Sequence, residues 1–258
     1  MPLKFDQLVL RALPGVPSIR AGDDLGEITW AALQRMPLEL LPGDILVYAQ
    51  KVVSKAEGRF VDLRSVTPGE RAERLARQTD KDPRIVEVIL SETRRVVRAV
   101  PGILIVEHRL GWVMANAGVD QSNVVAGNDG SHALLLPADP DASAERLRAQ
   151  LADRSGVCLG VIINDSFGRP WRVGTTGVAI GCAGLPAVLD LRGQPDWGGR
   201  TLRATVIGHA DEIAAAASLV MGQAAEGQPI VLVRGVVTSA PAAPARALIR
   251  TEAEDLFR

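Results

Sequence analysis

Lys51 and Lys55 stand four residues apart in AQKVVSKAEGR, residues 49–59, directly after an apolar run. If the chain turns helical there, the two ammonium groups share one face, and with Gln50 and Ser54 they can hold a triphosphate. The same spacing also describes a solvated lysine pair opening a surface helix, and no Walker-type glycine loop accompanies it. A second group lies in MANAGVDQSNV, residues 114–124, where Asn116, Asp120, Gln121, Ser122 and Asn123 crowd a small-residue segment. Turn chemistry alone accounts for such a composition. The third stretch is VIINDSFGRPWRVGTTG, residues 161–177, an apolar strand that ends in Asn164, Asp165 and Ser166. An aspartate at the end of a buried strand is costly unless it is capped, paired or bound to a cation. Asp120 and Asp165 together suit magnesium or manganese, hard ions that take oxygen ligands and bridge phosphates. Arg169 and Arg172 can neutralise further phosphate or carboxylate charge. The alternatives are a cap or turn role for Asp165 and surface ion pairs for the arginines. In VIGHADEI, residues 206–213, Asp211 is placed to cap the helix that follows, with Glu212 beside it. His209 reads as structural, and no Ser-His-Asp arrangement is evident.

These groups need elements to position them. Short β-branched runs predict strands over Asp44 to Gln50, Gly102 to Glu107, Gly111 to Ala115, Ala133 to Pro137, Gly156 to Asp165, Leu202 to Gly208 and Pro229 to Gly235. Thr67-Pro68-Gly69-Glu70 has the form of a capping box before RAERLARQ. Asp82-Pro83 opens another helix, through RIVEVILSE. Asp211 to Gln223 is alanine-rich and apolar nearly all round, which predicts a helix buried against a sheet or a second subunit. Strands alternating with helices and followed by Gly-, Asn- and Asp-rich turns predict a mixed α/β (α+β) fold, with mixed sheets packed against helices and residues 1–258 as one domain. Strand order is not legible at this level.

Composition narrows the function classes. The chain has 258 residues, 47% hydrophobic and 23% charged, with a formal net charge of -1 and a pI near 6.3. Dispersed lysines and arginines argue against a nucleic-acid-coating surface and favour small substrates. The N-terminus lacks the apolar run of a secretory signal, and no later stretch reaches membrane-spanning length without charge or proline, so a cytoplasmic location is expected. Cys158 and Cys182 sit in apolar surroundings without metal spacing and read as buried packing residues.

The blocks LPGDILVYAQKVVSKAEGR, ANAGVDQSNV, LLLPADPDASAERLR, INDSFGRPWRVGTTGVAIGCAGL and ADEIAAAASLVMGQ resemble, in order, those of the coenzyme F420-0:L-glutamate ligase family. The likeness runs from about Leu13 to the closing Asp255 to Phe257 and is to the stand-alone form, without a C-terminal flavin-binding domain of the nitroreductase type. It implies a ligase in which GTP phosphorylates the carboxylate of coenzyme F420-0 and L-glutamate displaces phosphate to form an amide, with further γ-linked glutamates added in some members. It also implies an intertwined homodimer with nucleotide near the subunit interface. Residue by residue, nucleotide contacts fall on Val16, Pro17, Ser18, Ile19, Gln50, Lys51, Lys55 and Asn123. The stretch from Ala204 to Asp211, with Thr205, Gly208 and Asp211, falls on a further nucleotide-binding segment. Ligands of Mg2+ or Mn2+ fall on Asp120 and Asp165, with Ser166 contributing to a second ion where many relatives have threonine. Asp120, Asp165 and Lys51 are then the residues expected to carry the chemistry. The sequence departs from the family pattern at Val206, where a polar metal ligand is expected, and at Gly174-Thr175-Thr176-Gly177, where relatives read Gly-Gln-Thr-Asp or Gly-Gln-Thr-Asn. A related ligase joining another acid and amine, or a non-catalytic GTP-binding paralogue, are the alternatives those departures keep open.

Overall fold

The computed structural model describes residues 7–121 and 131–255. In chain order the strands are β1 (Val9–Ala12), β2 (Ile45–Ala49), β3 (Phe60–Asp62), β4 (Thr93–Val100), β5 (Ile103–His108), β6 (Val113–Ala115), β7 (His132–Leu134), β8 (Gly160–Arg169), β9 (Arg172–Ala183), β10 (Leu189–Asp190), β11 (Val206–Ile207) and β12 (Ile230–Arg234). The helices are α1 (Leu25–Leu33), α2 (Gln50–Ala56), α3 (Glu70–Thr79), α4 (Pro83–Ser91), α5 (Pro140–Ser155) and α6 (His209–Met221). Mixed sheets packed with helices give the expected α+β class.

The central sheet has five strands in the order β1-β12-β2-β8-β9. Only β2 and β8 run parallel among the described strands, in a register that pairs Ile45 with Gly160 and Ala49 with Asn164. Side chains of alternate residues fill opposite faces. Leu46, Tyr48, Val161 and Ile163 join α1, α2 and α5 in one core, whereas Ile45, Val47, Ile162 and Val231 meet α6 in the other. A third core is built by α3, α4 and the antiparallel sheet β4-β5-β6. At the start of β2, buried Asp44 accepts two hydrogen bonds from Arg234 of β12, at 2.7 and 2.6 Å.

Local sequence explains most element ends. Asp82 accepts from the Arg84 N–H at 2.8 Å and Pro83 opens α4, as expected. The capping box before α3 is corrected: Gly69 is the N-cap, and the Gly69 N–H is taken by Glu87 of α4 at 2.8 Å. A tertiary carboxylate thus replaces the local one. The apolar run expected to end at Asp165 continues as a ten-residue strand, because β9 folds back beside it through Arg169. That strand also begins later than Gly156, leaving Cys158 in the connection from α5; contrary to expectation Cys158 is exposed, and only Cys182 is buried. The strand expected over 202–208 shrinks to Val206–Ile207, paired with β10. No helix among the described residues is long and apolar enough to cross a membrane.

Helix α6 starts at His209 with Gly208 as N-cap and no side-chain cap. Asp211 therefore does not cap it; its carboxylate accepts the Ala179 N–H of β9 at 2.9 Å, tying the helix to the sheet. The approach is close. A Cβ on Gly177 of β9 would lie 2.5 Å from the Ala214 carbonyl oxygen and 2.2 Å from Ser218 Oγ, both in α6. Gly168, farther along the hairpin, has nothing within 4 Å of such a Cβ. Gly177→Ala is expected to lower the unfolding free energy by about 1–3 kcal/mol through forced separation of α6 and β9. Denaturant unfolding should show that loss, with Gly168→Ala close to wild type as the control.

Candidate active site

Where β2 ends, the backbone turns directly into α2, so the first helical turn stands beside the parallel neighbour β8. Lys51 and Lys55 emerge on one side of α2 and line a cleft of about 660 Å³, as their spacing predicts. Gln50 also lines it, but its Oε1 accepts from Ser54 Oγ at 2.8 Å. Ser54 is fully buried and does not reach the cleft, so it drops out of the expected phosphate-binding group.

The opposite wall carries Asp120. A one-residue bridge holds it, with the Asp120 N–H donating to the Leu134 carbonyl at 3.0 Å and the Leu134 N–H returning at 2.8 Å. Its carboxylate lies 2.5 Å from Lys51 Nζ. Asp165, one residue beyond the β2–β8 pairing, faces the same space. Burial pushes the Asp165 carboxyl up to about 6, and the nearby Asp120 charge adds to this, while the Ser166 N–H at 2.8 Å and Lys51 oppose it. Lys55 is held below the usual lysine range by burial and by Lys51, with Asp120 opposing. Two carboxylates and two ammonium groups thus share one partly desolvated cleft, where charge interactions exceed their strength in water.

The oxygen donors here are the carboxylates of Asp120 and Asp165 and the Ser166 hydroxyl, which donates to Gln223 Oε1 at 2.8 Å. Hard divalent cations take this donor type. No group of three or more His, Cys, Asp or Glu residues among the described residues converges on one point. Two carboxylates and a hydroxyl fit an ion that keeps several waters or phosphate oxygens in its shell, as magnesium does.

Val16, Pro17, Ser18 and Ile19 form a lip of the cleft, as expected. Thr205, Gly208 and Asp211 do not line it. Val206 is 48% exposed on β11. Arg169 and Arg172 sit at the solvent-facing tip of the β8–β9 hairpin rather than in the cleft. Asn123 lies outside the described residues. Thr175, within the departing Gly174 to Gly177 stretch, does line the cleft. Sequence reasoning missed the Met221 to Pro229 connection, which supplies Gln223 and Glu226 to a further wall. Its signal was the polar segment GQAAEGQP after an apolar helix, flanked by glycines that mark a turn.

Comparison with known proteins gives a consistent result. The F420-0:Gamma-glutamyl ligase family matches residues 15–235. A coenzyme F420:L-glutamate ligase of Methanopyrus kandleri is 45% identical over 255 residues, covering 97% of this chain and 98% of that protein. The enzymes of the same name from Methanothermobacter thermautotrophicus and Methanocaldococcus jannaschii are 46% and 42% identical, each over 88% of both chains. A match of this extent covers the α2 lysines, Asp120, Asp165 and the α6 connection together, and the chain belongs to the F420-0:gamma-glutamyl ligase family.

Proposed function

We propose that this protein is a GTP- and divalent-metal-dependent ligase that joins L-glutamate to the carboxylate of coenzyme F420-0 through an acyl phosphate, and that adds further γ-linked glutamates in the same way. The observation that carries the reading is the meeting of Lys51, Lys55, Asp120 and Asp165 in one cleft, in a chain whose relatives bear the name coenzyme F420:L-glutamate ligase.

In this reading Asp120, Asp165 and Ser166 hold Mg2+ or Mn2+, which offsets triphosphate charge when bound. Lys51 exchanges Asp120 for a phosphate oxygen, and Lys55, already partly desolvated, contacts the same group. Gln50, the Val16 to Ile19 lip and Asn123 complete the nucleotide site. The F420-0 carboxylate attacks the γ-phosphorus and GDP leaves. The glutamate nitrogen then attacks the acyl carbon, and phosphate departs. The protein contributes charge placement and orientation. Thr205, Gly208 and Asp211 do not line the cleft and are left out of the nucleotide site, and the reading places the protein in a homodimer with a second copy of the chain as its partner. Exposed Leu219 on α6 and Trp171 and Val173 on the β8–β9 hairpin give such a partner apolar surface. The protein works in the cytoplasm.

A purified preparation supplied with F420-0, L-glutamate, GTP and manganese or magnesium should yield glutamylated product by mass spectrometry, and omission of any component should abolish it. Sized by sedimentation, the same preparation should run as two chains. No product despite GTP binding would move the assignment to a ligase with another acid or to a non-catalytic GTP-binding paralogue.

The raised Asp165 carboxyl gives a second test. Its pKa rises from 3.8 unfolded to about 6 folded, so ionisation opposes folding. That cost is absent below 3.8 and complete above about 6. Asp165→Asn should therefore raise the metal-free unfolding free energy at pH 7.5 by about 1–3 kcal/mol, with the gain vanishing toward pH 4, while turnover is abolished. Retained activity with bound metal would remove Asp165 from the site.

A further inference from the structure

The position of Asp120 is set from behind the cleft. Its main chain is bridged in both directions to Leu134, and Leu134 also pairs with Phe60 of β3. Leu136 packs against the same wall, since a Cβ on Gly118, which has φ of 67°, would lie 2.8 Å from the Leu136 side chain. The turn leading to Asp120 is strained. Asn116 and Ala117 take φ of 54° and 53°, a left-handed backbone that is unfavourable for a residue with a Cβ. Such a turn keeps its shape only where its surroundings hold it.

Arg59 joins that wall to α2. Its N–H donates to the Ser54 carbonyl of α2 at 3.0 Å, its carbonyl accepts the Leu135 N–H at 3.0 Å, and its Nε donates to the Leu136 carbonyl at 2.9 Å. The wall with Lys51 and Lys55 and the wall with Asp120 therefore meet at one residue. The guanidinium is in turn aimed by buried Glu92 at the end of α4, whose Oε1 accepts from Arg59 Nη2 at 3.2 Å. Glu92 Oε2 accepts from Arg109 Nε at 2.9 Å and lies 3.3 Å from His108 Nε2. Because His108 Nδ1 accepts the Leu110 N–H at 3.0 Å, the ring proton stands on Nε2, toward the carboxylate. Arg109 Nη2 donates onward to the Ala138 carbonyl at 3.0 Å. Glu92 thus sits between two guanidinium groups, each bound also to a carbonyl of residues 136–138. Burial opposes its ionisation, but His108, Arg109 and Arg59 hold its carboxyl at about 2, so it is charged at neutral pH.

We propose that Arg59, oriented by Glu92, is a positioning residue that holds Asp120 where it can share a divalent cation with Asp165. This rests on the reading of Asp120 as a metal ligand and adds to it the residues that aim the carboxylate. Arg59 and Glu92 do not line the cleft; they act through the backbone of residues 134–136. Partners behind a metal ligand govern affinity by fixing its orientation.

Binding of Mn2+ alone, read from the electron paramagnetic resonance of the free ion at neutral pH, tests this without turnover. Arg59→Lys keeps a charge but loses the planar fork that spans Leu136 and Glu92. Glu92→Gln keeps the shape and loses the charge, so either variant tests the role if the other fails to fold. Each would be made in wild type and in Asp120→Asn, with Leu75→Ala, which opens the third core at α3, as the comparator for lost stability. The expected result is Mn2+ binding about tenfold weaker for each variant in wild type. In Asp120→Asn neither should weaken it further, because the loss is the misplacement of that one carboxylate. Leu75→Ala should bind as wild type does. Equal weakening in both backgrounds, wild-type affinity in both variants, or the same weakening in Leu75→Ala would overturn the positioning role. If Asp120→Asn itself binds Mn2+ as wild type does, the metal reading of Asp120 fails, and the positioning role with it.

Discussion

The parallel pairing of β2 with β8 is the constraint on which the site depends. It sets the start of α2, and therefore Lys51, beside the continuation of β8 that carries Asp165. A one-residue slip in a strand pair would send every side chain to the opposite face, taking Asp165 to the α6 side and Asn164 to the lysine side. Both faces of β8 are packed, Val161 and Ile163 in one core and Ile162 in the other. The Asp44–Arg234 pair, buried at the foot of β2, ties this register to β12. Core packing and site geometry are the same arrangement seen from two ends of the strand.

Charge in the cleft costs the fold stability. Asp165 is ionised at neutral pH only against its burial and against Asp120, and Lys55 keeps its proton against burial and Lys51. Asn164 leaves an acceptor without a donor. Such local misfits concentrate at sites whose ligands relieve them. The Lys51–Asp120 pair at 2.5 Å balances part of this cost.

Much of this was legible in the residues. Short β-branched apolar runs marked β2, β5, β8 and β12, the small-residue segment after β6 marked Asp120, and the end of an apolar run marked Asp165. The four-residue spacing of Lys51 and Lys55 placed both in the cleft because α2 forms where strand β2 stops. Other features escaped because they are tertiary. Glu87 caps α3 from another helix, β9 extends β8 past Asp165, and Asp211 serves Ala179 across the sheet rather than its own helix. No local pattern reports those partners. The wall at Gln223 and Glu226 lies in a loop whose composition says only that the chain turns there, and its place in the cleft appears only in the fold.

The central claim is that this cleft activates a carboxylate by phosphorylating it, and isotope transfer tests it most directly. F420-0 labelled with oxygen-18 in its terminal carboxylate would be turned over with GTP, L-glutamate and manganese, and the released phosphate examined by mass spectrometry. One labelled oxygen per phosphate is predicted, because the carboxylate oxygen that attacks the γ-phosphorus leaves with it. Glutamylated product accompanied by unlabelled phosphate would contradict the acyl phosphate and the role assigned to the site.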